Sequence, residues 1–114
     1  MTTVPLIARP PAWDLLAAAL VEHQTVQIRY HGAERAVCAH VLGWRNRRAK
    51  VLAYQVAGAT SHGPLPDNPA QRWRSFFVDE IEAVAASDLP WETGDNYCLD
   101  FAGFDQPELA VDLN

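Results

Sequence analysis

Arg72 and Arg74 stand two residues apart in the run Arg72-Trp73-Arg74-Ser75-Phe76-Phe77-Val78, which reads as a β-strand. Side chains at i and i+2 of a strand leave from one face. Two guanidiniums so placed can close on a single anionic group, with arginine offering paired donors. That is binding chemistry rather than catalysis. Tyr30, His40 and Tyr54, on neighbouring strands, are the candidates to complete the pocket. The solvent face of an ordinary strand has the same composition, so the pair alone decides nothing. A second cationic cluster, Arg45-Asn46-Arg47-Arg48-Ala49-Lys50, comes after Trp44, whose indole could stack a base; a solvated hairpin tip looks alike.

Other chemistries find less support. Cys38 and His40 fall on one face of a strand, but zinc wants four ligands, or three and a water. His31, His62 and Cys98 sit in unrelated loops without paired spacing. Ser61-His62 lacks an orienting acid, and Asp79-Glu80 are adjacent on a turn, which points them apart. No metal, cofactor or catalytic constellation is expected, and the chain is not expected to be an enzyme.

Periodicity gives the elements that must position these residues. Met1–Arg9 reads as an extended arm, and Pro10-Pro11 suits a first helical turn. From Ala12 to about His23, Trp13, Leu16, Ala17 and Leu20 recur at helical spacing. Thr25–Tyr30 alternates as a half-buried strand, with Val26, Ile28 and Tyr30 on one side. Arg35–Trp44 predicts a second strand with Ala36, Cys38, His40, Leu42 and Trp44 on one face, and a bulge or bend at Gly43. Val51–Val56 is a third strand, Arg72–Val78 a fourth and Ile81–Ala86 a fifth. Ala57–Gln71, with Gly58, Gly63, Pro64, Pro66 and Pro69, reads as a long loop. Beyond Ser87 the pattern decays into an acidic tail with scattered aromatics. The expectation is a mostly β fold: one N-terminal helix, a small five-stranded antiparallel barrel over residues 12–87, and an irregular tail over 88–114.

The 114 residues, 49% of them apolar, suit one domain with an ample core. Two cysteines are too few for a disulfide framework and fit a reducing compartment. No apolar run approaches the ~20 residues that span a bilayer, so a cytoplasmic protein with no membrane partner is expected. The net charge of −5 conceals an asymmetry. Residues 1–78 hold all nine Lys and Arg against Asp14, Glu22, Glu34 and Asp67, whereas residues 79–114 hold ten acids and no base. Such a tail either solvates the protein or folds back over its basic face.

Three separated segments resemble the WYL domain of bacterial regulators, a helix followed by an SH3/Sm-like barrel. Ala17–Tyr30 resembles the family's opening helix and strand. Arg35–Gly43 resembles its second strand, with Ala39 where proline is usual, and Arg74–Ile81 resembles its closing motif. The family's naming motif reads Lys50-Val51-Leu52 here, and Phe77 and Glu80 stand where two bases are usual. The resemblance implies a small bacterial WYL-like regulatory module that senses an anionic ligand, a nucleotide or oligonucleotide. With no room before Pro10 for the helix-turn-helix of many members, direct transcription-factor activity is not expected. The altered positions point to the alternative: a homo-oligomer or protein-interaction module that kept the barrel and lost the pocket.

Overall fold

Pro11 takes helical backbone angles (φ −55°, ψ −32°), and the carbonyl of Pro10 accepts the first bond, from the Trp13 N–H at 2.9 Å. From there α1 runs over Ala12–Glu22 in the computed structural model, which describes residues 10–60, 63–94 and 103–112, with the backbone alone at Pro69. The expected arm Met1–Arg9, Ser61-His62 and Cys98 lie outside the described residues. Ala12, Trp13, Leu16, Ala19 and Leu20 form the buried face, close to the spacing predicted from periodicity. His23 ends the helix in the left-handed conformation (φ 53°), so that the Gln24 N–H reaches back to the Ala19 carbonyl at 2.8 Å.

Two tight hairpins come next. β1 (Val26–Tyr30) turns into β2 (Ala33–Arg45) through His31 and Gly32, at φ 51° and 77°. β2 turns into β3 (Arg48–Thr60) through Asn46 and Arg47, at φ 49° and 66°. Paired positive φ values are what two-residue hairpins need to match strand twist. The hairpin tip predicted over 45–50 therefore shrinks to two residues, and Arg48–Lys50 joins β3.

Among the described residues there are seven strands, not the five expected. β3 extends to Thr60 and pairs with the short β4 (Gly63–Pro64), inside the stretch expected to be loop. A 3₁₀ turn, Pro69–Gln71, leads to β5 (Trp73–Phe77). A second, Val78–Glu80, leads to β6 (Ile81–Ala86). The tail also contributes: β7 (Gln106–Ala110) pairs with the end of β2. The ladders are antiparallel and run β5-β3-β2-β1-β6, so the two ends of the path are consecutive in sequence. The sheet is curled. Tyr30 of β1 meets Phe76 of β5 with ring centroids 4.8 Å apart, and the Phe77 N–H donates to the Tyr30 hydroxyl at 3.3 Å. Trp13, Leu16 and Leu20 of α1 share one core with Val26, Ile28, Val37, Leu42, Val51 and Phe76. Each such side chain contributes about 1.5–3 kcal/mol when fully buried.

β2 is buried on both faces, and its partners on β3 slip between Ala39 and Val41, leaving His40 as the extra residue. The slip reverses the faces taken by the residues beyond it. Cys38 and His40 turn towards the segment 91–93, whereas Leu42 and Trp44 join the helix-side core, correcting the single face predicted for all of them. Gly43 marks a close approach: a Cβ there would lie 2.5 Å from the Gln106 carbonyl of β7, whose register also shifts at this point. Among the described residues no helix is long and apolar enough to cross a membrane.

Candidate anion-binding site

β5 pairs with β3 so that Arg74 lies opposite Ala53 and Phe76 opposite Val51, placing both on the concave, core-side face. Arg72 shares that face by alternation, as its spacing predicts, and its carbonyl accepts from the Gln55 N–H at 2.9 Å. The two arginines nevertheless do different work. Arg72 Nε–H donates to the Pro66 carbonyl at 2.7 Å and so holds the rim of the pocket. Arg74 lines the pocket itself, steadied by bonds from Nη1 to the Gln71 and Trp73 carbonyls at 2.8 and 2.9 Å.

That pocket has a volume of about 390 Å³. Its lining comprises two cations, Arg35 and Arg74; the rings of Tyr30 and Phe76; and Thr60, Ser75, Pro64 and Pro66. Arg35 is the member that the sequence does not reveal. Its position suggests an ordinary strand start, yet it is 3% exposed. Its guanidinium sits 5.5 Å from the Tyr30 ring centroid and 5.4 Å from that of Phe76. Stacking on two rings partly replaces lost hydration. Burial is the first cause that lowers the pKa of both Arg35 and Arg74, and the field of Arg35 lowers Arg74 further. Guanidinium remains charged regardless. Two partly desolvated cations thus repel across one hollow, and among the described residues its lining contains no carboxylate. Gln55, fully buried, donates to the Ala57 and Ala59 carbonyls at 3.1 and 3.0 Å, fixing the strand end that presents Thr60.

Tyr30 joins this pocket; His40 and Tyr54 do not. Tyr30 is buried and its phenol is pushed up, chiefly by that burial, so it is a neutral hydroxyl at physiological pH. Tyr54 lies opposite Trp73 on the other face of the sheet, with centroids 5.2 Å apart. His40, fully buried, meets Trp73 edge-on at 4.8 Å and stacks on Trp91 at 4.9 Å. Its Nδ1–H donates to the Cys38 carbonyl at 2.7 Å, leaving Nε2 to accept from Thr93 Oγ1 at 2.9 Å. Desolvation holds its pKa down at about 4, so the imidazole is neutral. Gly94 closes the cover, since a Cβ there would lie 2.7 Å from Trp73 Nε1. The Cys38 thiol is pushed up by burial and lies 3.4 Å from both Thr25 Oγ1 and the Glu92 N–H. Among the described residues no three His, Cys, Asp or Glu side chains group to hold a metal.

The cationic hairpin is held by the acidic half of the chain. Arg48 lies 3.7 Å over the Phe77 ring and bridges Asp79 and Glu80, at 2.8 and 2.5 Å. Asp105 accepts from the Asn46 N–H at 2.6 Å, and Arg45 donates to the Gly103 carbonyl. One face of the Trp44 ring is occupied, because it stacks on Trp13 at 5.3 Å. Phe77 and Glu80 build the clamp on Arg48. No protein-family model, curated protein or solved structure matches this chain.

Proposed function

We propose that the protein is a small WYL-like regulatory module that senses an anionic, nucleotide-like ligand. The observation that carries this reading is the convergence of Arg35 and Arg74 in a pocket whose described lining holds no carboxylate. Paired guanidiniums and two aromatic walls suit a phosphate with an attached planar group. The volume falls within the ~300–1,000 Å³ of small-molecule sites. A curled path of five strands whose ends are consecutive supports the SH3/Sm-like assignment. The role is binding without turnover, in a cytoplasmic setting that suits the buried free thiol of Cys38.

A thermal-melt screen against mono-, di- and oligonucleotides tests this. Ligand at 100 times its Kd adds about 2.7 kcal/mol, a shift of several degrees. The shift is expected in the parent and absent in Arg74→Ala, whose half-exposed position keeps the fold. No shift with any nucleotide, from a well-folded parent, would count against a sensor. The alternative, an interaction module without a ligand, is favoured by one observation: Leu15 and Val21 on α1 are 55% and 66% exposed.

A further inference from the structure

Arg72 shares a strand face with Arg74, yet its bonds lead to the neutral side of the pocket. Its carbonyl accepts from the Gln55 N–H at 2.9 Å, and its Nε–H donates to the Pro66 carbonyl at 2.7 Å. Gln55 in turn donates to the Ala57 and Ala59 carbonyls, just before Thr60. β4 is held to the same strand end, because Thr60 lies opposite Gly63 and its hydroxyl donates to the Gly63 carbonyl at 2.9 Å. That ladder stops at Pro64. Farther along, Asn68 closes the turn before β5. Its carbonyl accepts from the Gln71 N–H at 2.9 Å and its side-chain Oδ1 from the Ala70 N–H at 3.0 Å. Pro66 lies between these two anchors, and the bond from Arg72 ties it to the sheet.

The lining divides by chemistry. The two cations gather with the two rings, the Arg35 guanidinium lying 5.5 and 5.4 Å from the centroids of Tyr30 and Phe76. Thr60, Pro64 and Pro66, from the end of β3 and the stretch after it, carry no charge. An anion belongs with the guanidiniums, so the group attached to it is bounded by the neutral residues. Resting on the sensor reading above, we infer that Arg72 is a positioning residue: its bond to Pro66 sets the neutral wall by which the pocket prefers a nucleotide-like anion to a bare phosphate. Preference is a difference of affinities. A wall displaced by one lost bond takes contacts from the attached group and leaves the charge-assisted bonds to the phosphate in place.

The test titrates inorganic phosphate and a nucleoside monophosphate, separately, into the parent, Arg72→Ala and Arg72→Gln, following the Ser75 and Phe76 amides by NMR. Glutamine places its Nε2 donor as many bonds from the backbone as the Nε of arginine, and it has no charge. The parent should bind the nucleotide more tightly than phosphate. Arg72→Ala should shrink that preference about tenfold by weakening the nucleotide, with the phosphate Kd changed less than about twofold. Arg72→Gln should restore the preference. Equal weakening of both probes in the two variants would overturn the proposal, by making the charge of Arg72 a direct contact of the anion. A preference untouched in Arg72→Ala, or lost there and not restored in Arg72→Gln, would overturn it as well. In either case a parent that binds both probes keeps the sensor reading intact, whereas a parent that binds neither overturns that reading and the role of Arg72 together.

Discussion

A guanidinium at 3% exposure is costly to bury, and the fold keeps Arg35 there between two rings and within the field of Arg74. The arrangement gains when an anion enters, because it brings an opposite charge within reach of both guanidiniums. Replacing Arg74 removes one charge-assisted pair, about 1.5–3 kcal/mol, and should weaken ligand binding about tenfold to a hundredfold. His40 is the opposite case: a titratable group kept neutral. In the unfolded chain it takes a proton below about pH 6.5, but in the folded state only at about 4. The unfolded state thus binds more protons between these values. Stability is full above pH 6.5 and falls as the pH drops towards 4, by roughly 3 kcal/mol in all. Urea midpoints measured from pH 7 to 4 should show this loss, and His40→Gln should flatten the part of the curve that His40 causes.

Among the elements, Gly43 and β7 depend on each other. Any side chain at position 43 meets the backbone at Gln106 and Pro107, which no rotamer can avoid. Gly43→Val should cost about 1–3 kcal/mol and free β7. Exchange of the Val111 amide, which bonds the His40 carbonyl at 2.7 Å, should report it, while β1 amides stay protected. The helix and five principal strands are legible in the sequence because Leu16, Leu20, Val26, Ile28 and the alternation in Arg72–Val78 state their periods locally. β7 is not, since Gln106-Pro107-Glu108 is depleted in strand formers and the strand exists only by tertiary pairing with β2. Nor is the slip at His40, a one-residue offset that sequence alternation cannot register. In the site, the shared face of Arg72 and Arg74 is legible from spacing. The burial of Arg35 is not, because it depends on strands β1 and β5 meeting across the curl.

Across the whole molecule, the charge asymmetry resolves into division of labour. Asp79, Glu80 and Asp105 hold the cationic hairpin, and none of the three lines the pocket. Among the described residues no carboxylate of the acidic half lines the anion site, and these three belong to the fold instead. Trp91, Phe104 and Val111 pack against the core clusters. At ~1.5 kcal/mol each, deleting residues 88–114 should cost roughly 4–5 kcal/mol, most of a small domain's stability. Denaturant titration should show a collapsed midpoint. A truncated chain as stable as the parent would mean the tail merely solvates.

Whether the arginine pocket binds an anion is decided by calorimetric titration of a nucleoside monophosphate into the parent, Arg74→Lys and Arg74→Ala, with chemical-shift mapping of the bound parent. Saturable binding is expected, with shifts centred on Thr60, Ser75 and Phe76, partial retention in Arg74→Lys and loss in Arg74→Ala. Binding that is equal in all three proteins, or shifts centred on the Arg45–Lys50 hairpin, would contradict a site built on Arg35 and Arg74.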